Sequence, residues 1–168
     1  MARLATAQEE REIERLMDTY GRGIKRMCCL YLKDVSLAED ASQETFVRAW
    51  RHLDSFRGES SEKTWLMRIA MNVCRDMLRT SWFRRLDRRF TPEELPLVFT
   101  PDEERPLLAQ EVMALPPKYR EPILLYYYQD MNTKEMAAAL GISFNTAKSR
   151  LLRARALHKT RLEGGEER

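Results

Sequence analysis

The chain has 168 residues, 43% of them hydrophobic and 33% charged, and a formal net charge of +3. That apolar share supports an ordered core in one compact domain or two small ones and excludes a disordered, low-hydrophobicity chain. It contains neither an apolar run of about 18 residues nor a basic n-region leading into an apolar h-region, so it is expected to stay in the cytoplasm.

Residues 9–32 have a helical period, because Ile13, Leu16, Met17, Tyr20, Ile24, Met27 and Tyr31 return every three or four positions. "SLAE" at 36–39 reads as a capping box, with Ser36 as N-cap and Glu39 three residues on. The helix it opens sets Ala38, Ala41, Thr45, Ala49 and Leu53 on one face and Asp40, Gln43 and Glu44 on the other. "SFRGES" then breaks the pattern at Gly58. A third helix is predicted from about Ser61, with Trp65, Leu66, Ile69, Ala70, Val73 and Met77 turned inward. Three helices around one core make a first domain, residues 9–90.

Residues 91–106, "TPEELPLVFTPDEERP", hold four prolines. Each lacks an N–H and restricts the residue before it, so no continuous helix fits and the segment reads as a flexible linker. A second domain, 107–162, begins with a short helix reaching Ala114. Pro117 suits the first turn of the next helix, which Leu124, Leu125 and Tyr128 anchor. "NTKE" at 132–135 is another capping box, and the short helix it opens carries Met136, Ala137 and Leu140. Gly141 takes the left-handed position after that helix, and Ser143 caps a last one with Ala147, Leu151 and Ala154 inside. Two short helices around Gly-Ile-Ser form a helix-turn-helix pattern, the second helix being the candidate reader of a major groove. The fold class is therefore all-α: two small helical domains joined by a flexible linker, the second a helix-turn-helix domain without a wing.

Charge alternates along this plan. Residues 34–56 sum to −3, 57–90 to +5, 91–117 to −5 and 118–162 to +6. Two basic blocks apart from an acidic spacer suit two anionic contact surfaces, and nucleic acid fits better than a membrane because neither block has a bulky one-sided apolar face. In the last helix Thr146, Lys148, Ser149, Arg150 and Arg153 fall mostly outward. Cations favour a helix C-terminus, which accounts for Arg155, Lys159 and Arg161 but poorly for Lys148 in the first turns. With no acidic residue between Glu135 and Glu163 to pair with them, phosphate and base-edge contacts are the favoured reading over a merely solvated face. On the third helix Arg68, Asn72, Arg75 and Arg79 recur beside the apolar seam. The preceding loop offers Phe56, Arg57, Gly58, Glu59 and Ser60, which could surround an unstacked base, although Phe56 and Trp65 also suit an ordinary core.

Enzymatic chemistry has no foothold: there is no phosphate-binding glycine loop, no dinucleotide motif and no G-x-S-x-G. Cys28, Cys29 and Cys74 lack metal-ligand spacing, and His52 and His158 lie far from them, so reduced thiols are expected rather than zinc. No cofactor and no metal is expected.

"AEDASQETFVRAWRHLDSFRGESSEKTWLMRIAMNVCRDMLR" (38–79) and "LPPKYREPILLYYYQDMNTKEMAAALGISFNTAKSRLLRAR" (115–155) resemble regions 2 and 4 of the extracytoplasmic-function (group 4) sigma factors of bacterial RNA polymerase. The resemblance covers nearly the whole chain. It implies that Asp40, Gln43 and Glu44 dock on the clamp helices of the largest subunit of core polymerase. It also implies that Phe56, Arg57, Gly58, Glu59 and Ser60 receive a base flipped from the minus 10 element, and that Arg68, Asn72 and Arg75 hold the parted non-template strand. Thr146, Lys148, Ser149, Arg150, Leu152 and Arg153 match the positions that read the minus 35 element of promoter DNA. The linker is expected in the RNA exit path, and an anti-sigma protein, often membrane-anchored in this family, is an expected partner. Asn145 and Ala147 stand where glycine and valine are common, which bears on promoter preference rather than fold. Two other readings fit the residues less fully: a polymerase-independent helix-turn-helix regulator, and an interaction module whose basic faces bind acidic proteins.

Overall fold

The computed structural model describes residues 6–79 and 106–166, and all regular structure among them is helical. Two helical units result, one on each side of residues 80–105. The acidic proline-rich stretch 91–106 lies outside the described residues apart from Pro106, as does the end of the first domain, 80–90.

The first unit is α1 (Ala7–Leu32), α2 (Val35–Arg51) and α3 (Glu62–Arg79). Thr6 opens α1 by a capping box: its hydroxyl accepts from the Glu9 N–H at 3.2 Å, and the Glu9 carboxylate accepts from the Thr6 N–H at 2.9 Å. Such a cap satisfies otherwise orphaned donors and is worth about 1 kcal/mol. Lys33, at φ 60, ends α1 in the left-handed conformation. The N-cap of α2 is Asp34, not Ser36: the extended Asp34 accepts from the Leu37 N–H at 3.0 Å. Because α1 stops in so tight a turn, α2 begins at once, and Ser36 falls inside its first turn. Glu39, expected to complete a box there, instead pairs with Lys25 of α1 at 2.9 Å.

The period read for α1 holds on its inner edge, where Leu16, Ile24, Met27 and Tyr31 are buried, but Met17 is 48% exposed. It lies one step round the helix from Leu16, beyond the arc that the neighbours cover. Ala38, Ala41 and Ala49 of α2 are fully buried, and their small side chains let α2 lie close against α1. From α3 come Leu66, Met67, Ala70, Met71, Val73 and Cys74. Full burial of each large apolar side chain contributes about 1.5–3 kcal/mol, so this core, not the surface, holds the unit. Surface pairs tie the helices only weakly, at about 0.2–1 kcal/mol each. They are Arg15 with Glu62 at 2.6 Å and Arg48 with Asp76 at 3.2 Å, besides the Lys25–Glu39 pair. All three cysteines are buried free thiols. Burial pushes Cys29 up to about 12, and the neighbouring Cys74 thiol together with burial raises Cys28. None is a ready nucleophile.

The second unit is α4 (Pro106–Met113), α5 (Pro117–Ile123), α6 (Thr133–Leu140) and α7 (Phe144–Glu166), with a wide π-type turn at Leu124–Tyr128 extending α5. Pro117 occupies the first turn of α5 as its fixed φ predicts. The Asn132–Glu135 capping box forms reciprocally, both bonds 2.9 Å long. Gly141, at φ 66, ends α6 where a side chain would be strained. The Ser143 hydroxyl accepts from the Thr146 N–H at 3.1 Å and so starts α7. Met136, Leu140, Ala147, Leu151 and Ala154 are buried with Leu115, Leu124 and Leu125, and this apolar cluster is continuous with that of the first unit. The second unit rests on the C-terminal half of α1 and on α3, with α6 running against α3.

Candidate nucleic-acid interface

With Ala147, Leu151 and Ala154 buried, the opposite face of α7 is set by helical geometry. Lys148, Ser149 and Arg153 are exposed, Thr146 and Arg150 half-buried, and Leu152 is 55% exposed. Ser143 donates to the Thr146 hydroxyl at 2.8 Å, and Ser149 donates to the Thr146 carbonyl at 3.1 Å. The first turn is thus held by its own side chains, while among the described residues no carboxylate pairs with Lys148, Arg150 or Arg153. Arg155 is different. Its guanidinium lies over Tyr126 at 4.9 Å and Tyr127 at 5.6 Å, and its Nε donates to the Tyr127 hydroxyl at 2.7 Å. Cation–π packing onto the α5 extension, rather than the helix dipole alone, employs this residue.

The first unit presents a second basic face. Between α2 and α3, the segment after the short 3-10 turn Leu53–Ser55 walls a cleft of about 450 Å³. Phe56 stacks on Trp65, ring centroids 4.7 Å apart and planes 28° from parallel, so both aromatic residues are half-buried rather than core. Arg57, Glu59, Ser60 and Arg68 line the cleft with them, and Ser55 and Thr64 add hydroxyl groups that the sequence pattern had not singled out. Gly58 is exposed at the tip of the loop. An aromatic wall with hydroxyl, carboxylate and guanidinium groups around it offers what a planar heterocycle requires: a stacking surface and edge partners. Arg68 and Asn72, one turn apart on α3, are both exposed.

Arg75 is not free on that face. Its Nε and Nη2 donate to the Glu121 carboxylate at 2.8 and 2.9 Å, and its Nη1 donates to the Leu140 carbonyl at 3.3 Å. The ion pair with Glu121 holds Arg75 above the usual guanidinium range. On α2, Asp40 and Gln43 are exposed and Glu44, half-buried, pairs with Arg48 at 2.9 Å. The three lie on the side of α2 away from its buried alanines, 38, 41 and 49.

A helix-turn-helix whose second helix carries Lys148, Arg150 and Arg153 with no carboxylate partner among the described residues, joined to a second basic face beside an aromatic-walled cleft, defines a DNA-binding transcription protein. Residues 16–84 match Sigma-70 region 2, and residues 106–157 match Sigma-70, region 4. The chain belongs to the sigma-70 family, in its extracytoplasmic-function subgroup, whose members direct RNA polymerase to promoters and are not themselves catalysts. It is 35% identical over 182 aligned positions to the ECF RNA polymerase sigma factor SigL of Mycobacterium tuberculosis, covering 100% of both chains. Against the Xanthomonas campestris protein described as "Probable RNA polymerase sigma factor RfaY" it is 34% identical over 142 positions, and there it spans only 35% of that longer chain. Among solved structures, CnrH in complex with the cytosolic domain of CnrY superposes with a TM-score of 0.72 at 29% identity, covering 92% of this chain and 90% of CnrH. No described helix is long and apolar enough to cross a membrane, and no group of three or more His, Cys, Asp or Glu among the described residues could hold a metal ion.

Proposed function

We propose that this sigma factor reads promoters by dividing the work between its two units, 9–90 and 107–162. In the second unit Arg150 reaches base edges of the minus 35 element, with Thr146 and Leu152 beside it, while Lys148, Ser149 and Arg153 hold phosphates. The first unit takes a flipped minus 10 base into the cleft formed by Phe56, Arg57, Gly58, Glu59 and Ser60. Arg68, Asn72 and Arg75 then hold the non-template strand. Asp40, Gln43 and Glu44 dock on the clamp helices of core polymerase, which fixes the distance between the units. Linked in this way, one promoter contact raises the effective concentration of the other. Parting the duplex costs about 1–2 kcal/mol per base step, and capture of the extruded base offsets part of that. The observation that carries the reading is that Lys148, Arg150 and Arg153 of α7 stand outside its buried seam with no carboxylate paired to them among the described residues.

The linker 91–106 is assigned to the RNA exit path, where its acidic charge avoids both DNA-facing surfaces. An anti-sigma protein is a proposed partner, and CnrH, bound to the cytosolic domain of CnrY, is the structural relative that supports it.

Two measurements test the division of labour. Asn72→Ala leaves duplex binding by the holoenzyme intact but lowers open-complex formation, read as weaker permanganate reactivity of thymines at minus 10. Normal melting in that variant would remove Asn72 from the site. Lys148→Ala weakens all promoters alike and reduces the slope of log affinity against log salt by about 1, as loss of one phosphate contact requires. An unchanged slope assigns Lys148 to solvent. A polymerase-independent regulator would leave the cleft and the α2 face idle, and co-purification with core polymerase separates the two readings.

A further inference from the structure

The direction in which each side chain leaves α7 follows from the helix's buried seam, Ala147, Leu151 and Ala154. Successive residues of an α-helix turn by about 100°. On that count Asn145 and Ser149 stand within about 30° of the line directly opposite the seam, and Leu152 about 50° from it. Lys148 and Arg153 fall on opposite sides of the same line, about 90° and 50° away, and Arg150 further round at about 110°. Exposure agrees: Asn145, Lys148, Ser149, Leu152 and Arg153 are exposed, whereas Arg150 is half-buried. Short uncharged polar groups therefore lie at the centre of the exposed face, and the cations straddle them.

Of the short polar groups in the first turns of α7, only the Asn145 carboxamide is idle. Ser143 donates to the Thr146 hydroxyl, and Ser149 donates to the Thr146 carbonyl. The N-cap is filled as well, since the Ser143 hydroxyl accepts from the Thr146 N–H. The Asn145 side chain has no hydrogen-bond partner among the described residues. Helix stability does not account for it, because Asn is a weaker helix former than Ala away from the cap. Its place is the telling feature. The first residues of a recognition helix are the ones set against base edges, and a side chain as short as Asn reaches a base only from there. Arg150 arrives with a long arm from the flank.

A carboxamide presents one donor and one acceptor side by side. In the major groove adenine offers the matching pair, an N7 acceptor beside an N6–H donor. Guanine offers two acceptors, so the Asn145 Oδ1 would face an oxygen; thymine offers an acceptor and a methyl group, and cytosine a donor. We propose that Asn145 reads one adenine of the minus 35 element, its Nδ2–H donating to N7 and its Oδ1 accepting from N6–H. Lys148 and Arg153 hold phosphates on either side. Asn145 is thus a second base-reading residue beside Arg150, with a different base as its target. This rests on the assignment of α7 to the minus 35 element.

The test uses holoenzyme. Core polymerase carrying the parent, Asn145→Ala or Arg150→Ala chain selects from duplex DNA randomised upstream of the start site, and the bound templates are sequenced. Asn145→Ala is expected to erase an adenine preference at one position of the upstream motif and to leave the other positions as they are. The surviving positions show that the variant is folded. A duplex of the selected sequence is then made with 7-deazaadenine at that position, which puts C–H where N7 was. Parent holoenzyme binds it about tenfold more weakly than the adenine duplex, while Asn145→Ala holoenzyme binds the two alike. An upstream motif identical in Asn145→Ala and the parent overturns the proposal. If Arg150→Ala still alters one position in that case, the assignment of α7 stands without Asn145; if neither variant alters the motif, that assignment falls too. Loss of a preference for a base other than adenine, or indifference of the parent to 7-deazaadenine, overturns the adenine contact alone.

Discussion

Holoenzyme carrying the Arg150→Ala, Arg153→Ala chain loses at least about tenfold in affinity for duplex DNA containing the minus 35 element, since a good bidentate base contact alone discriminates by about 1–3 kcal/mol. Neither side chain belongs to the buried seam of Ala147, Leu151 and Ala154, Arg153 being exposed and Arg150 half-buried on its flank, so the helix should remain intact in the variant. The two substitutions act differently when separated. Arg150→Ala relaxes the preference for particular bases, because a base-edge donor is gone. Arg153→Ala weakens every sequence equally and flattens the salt dependence, because only a phosphate contact is gone. Affinities measured by anisotropy on a matched and a scrambled minus 35 duplex at two salt concentrations separate these outcomes. An unchanged preference in Arg150→Ala would move base readout to another residue on α7.

The second large effect concerns α2. Asp40→Lys with Glu44→Lys is expected to lower affinity for core polymerase by about 2–5 kcal/mol, the range for disturbing charged groups at a buried interface. Asp40 is exposed, and Glu44 is half-buried with Arg48 as its partner, so the second reversal also sets a like charge beside Arg48. Circular dichroism melting must therefore accompany the binding measurement. The core of the first unit touches neither position: Leu66, Met67, Ala70 and Met71 pack behind the opposite face. A melting temperature close to the parent's with lost polymerase association assigns the face to docking. Retained association with the doubly reversed chain removes α2 from that role.

How far these assignments could be read from the sequence depends on the reach of the interaction. The Asn132–Glu135 box, Gly141 and the Ser143 cap act within one helical turn, so their residue types and spacing were enough to place α6 and α7. The same logic chose Ser36 over Asp34 for α2, because the box pattern at 36–39 says nothing about where α1 stops. Only the left-handed Lys33 decides that. The inner faces of α6 and α7 were legible because their apolar residues repeat with the helix, whereas on α3 the period found Leu66, Ala70 and Val73 but took the half-buried Trp65, Ile69 and Met77 in place of the buried Met67, Met71 and Cys74. Met17 was misplaced because period alone does not set the width of the buried arc. Glu121 gave no sign of its role: its partners Arg75 and Tyr31 lie 46 and 90 residues away, and no local pattern joins them. Arg75 therefore looked like one more outward arginine of α3. Arg155 was accounted for by its place towards the helix end, whereas the neighbouring Tyr126 and Tyr127 that hold it come from α5's extension. The triple tyrosine at 126–128 was the available signal.

The central claim is that one polymerase-bound chain touches two promoter elements at a set spacing. Run-off transcription by core polymerase supplied with this chain, on a library of randomised upstream DNA, tests it most directly. Discrete start sites are predicted, on templates that share two short motifs at one constant separation. Transcripts no more frequent than with core polymerase alone, or enriched templates that share a single motif, would contradict it.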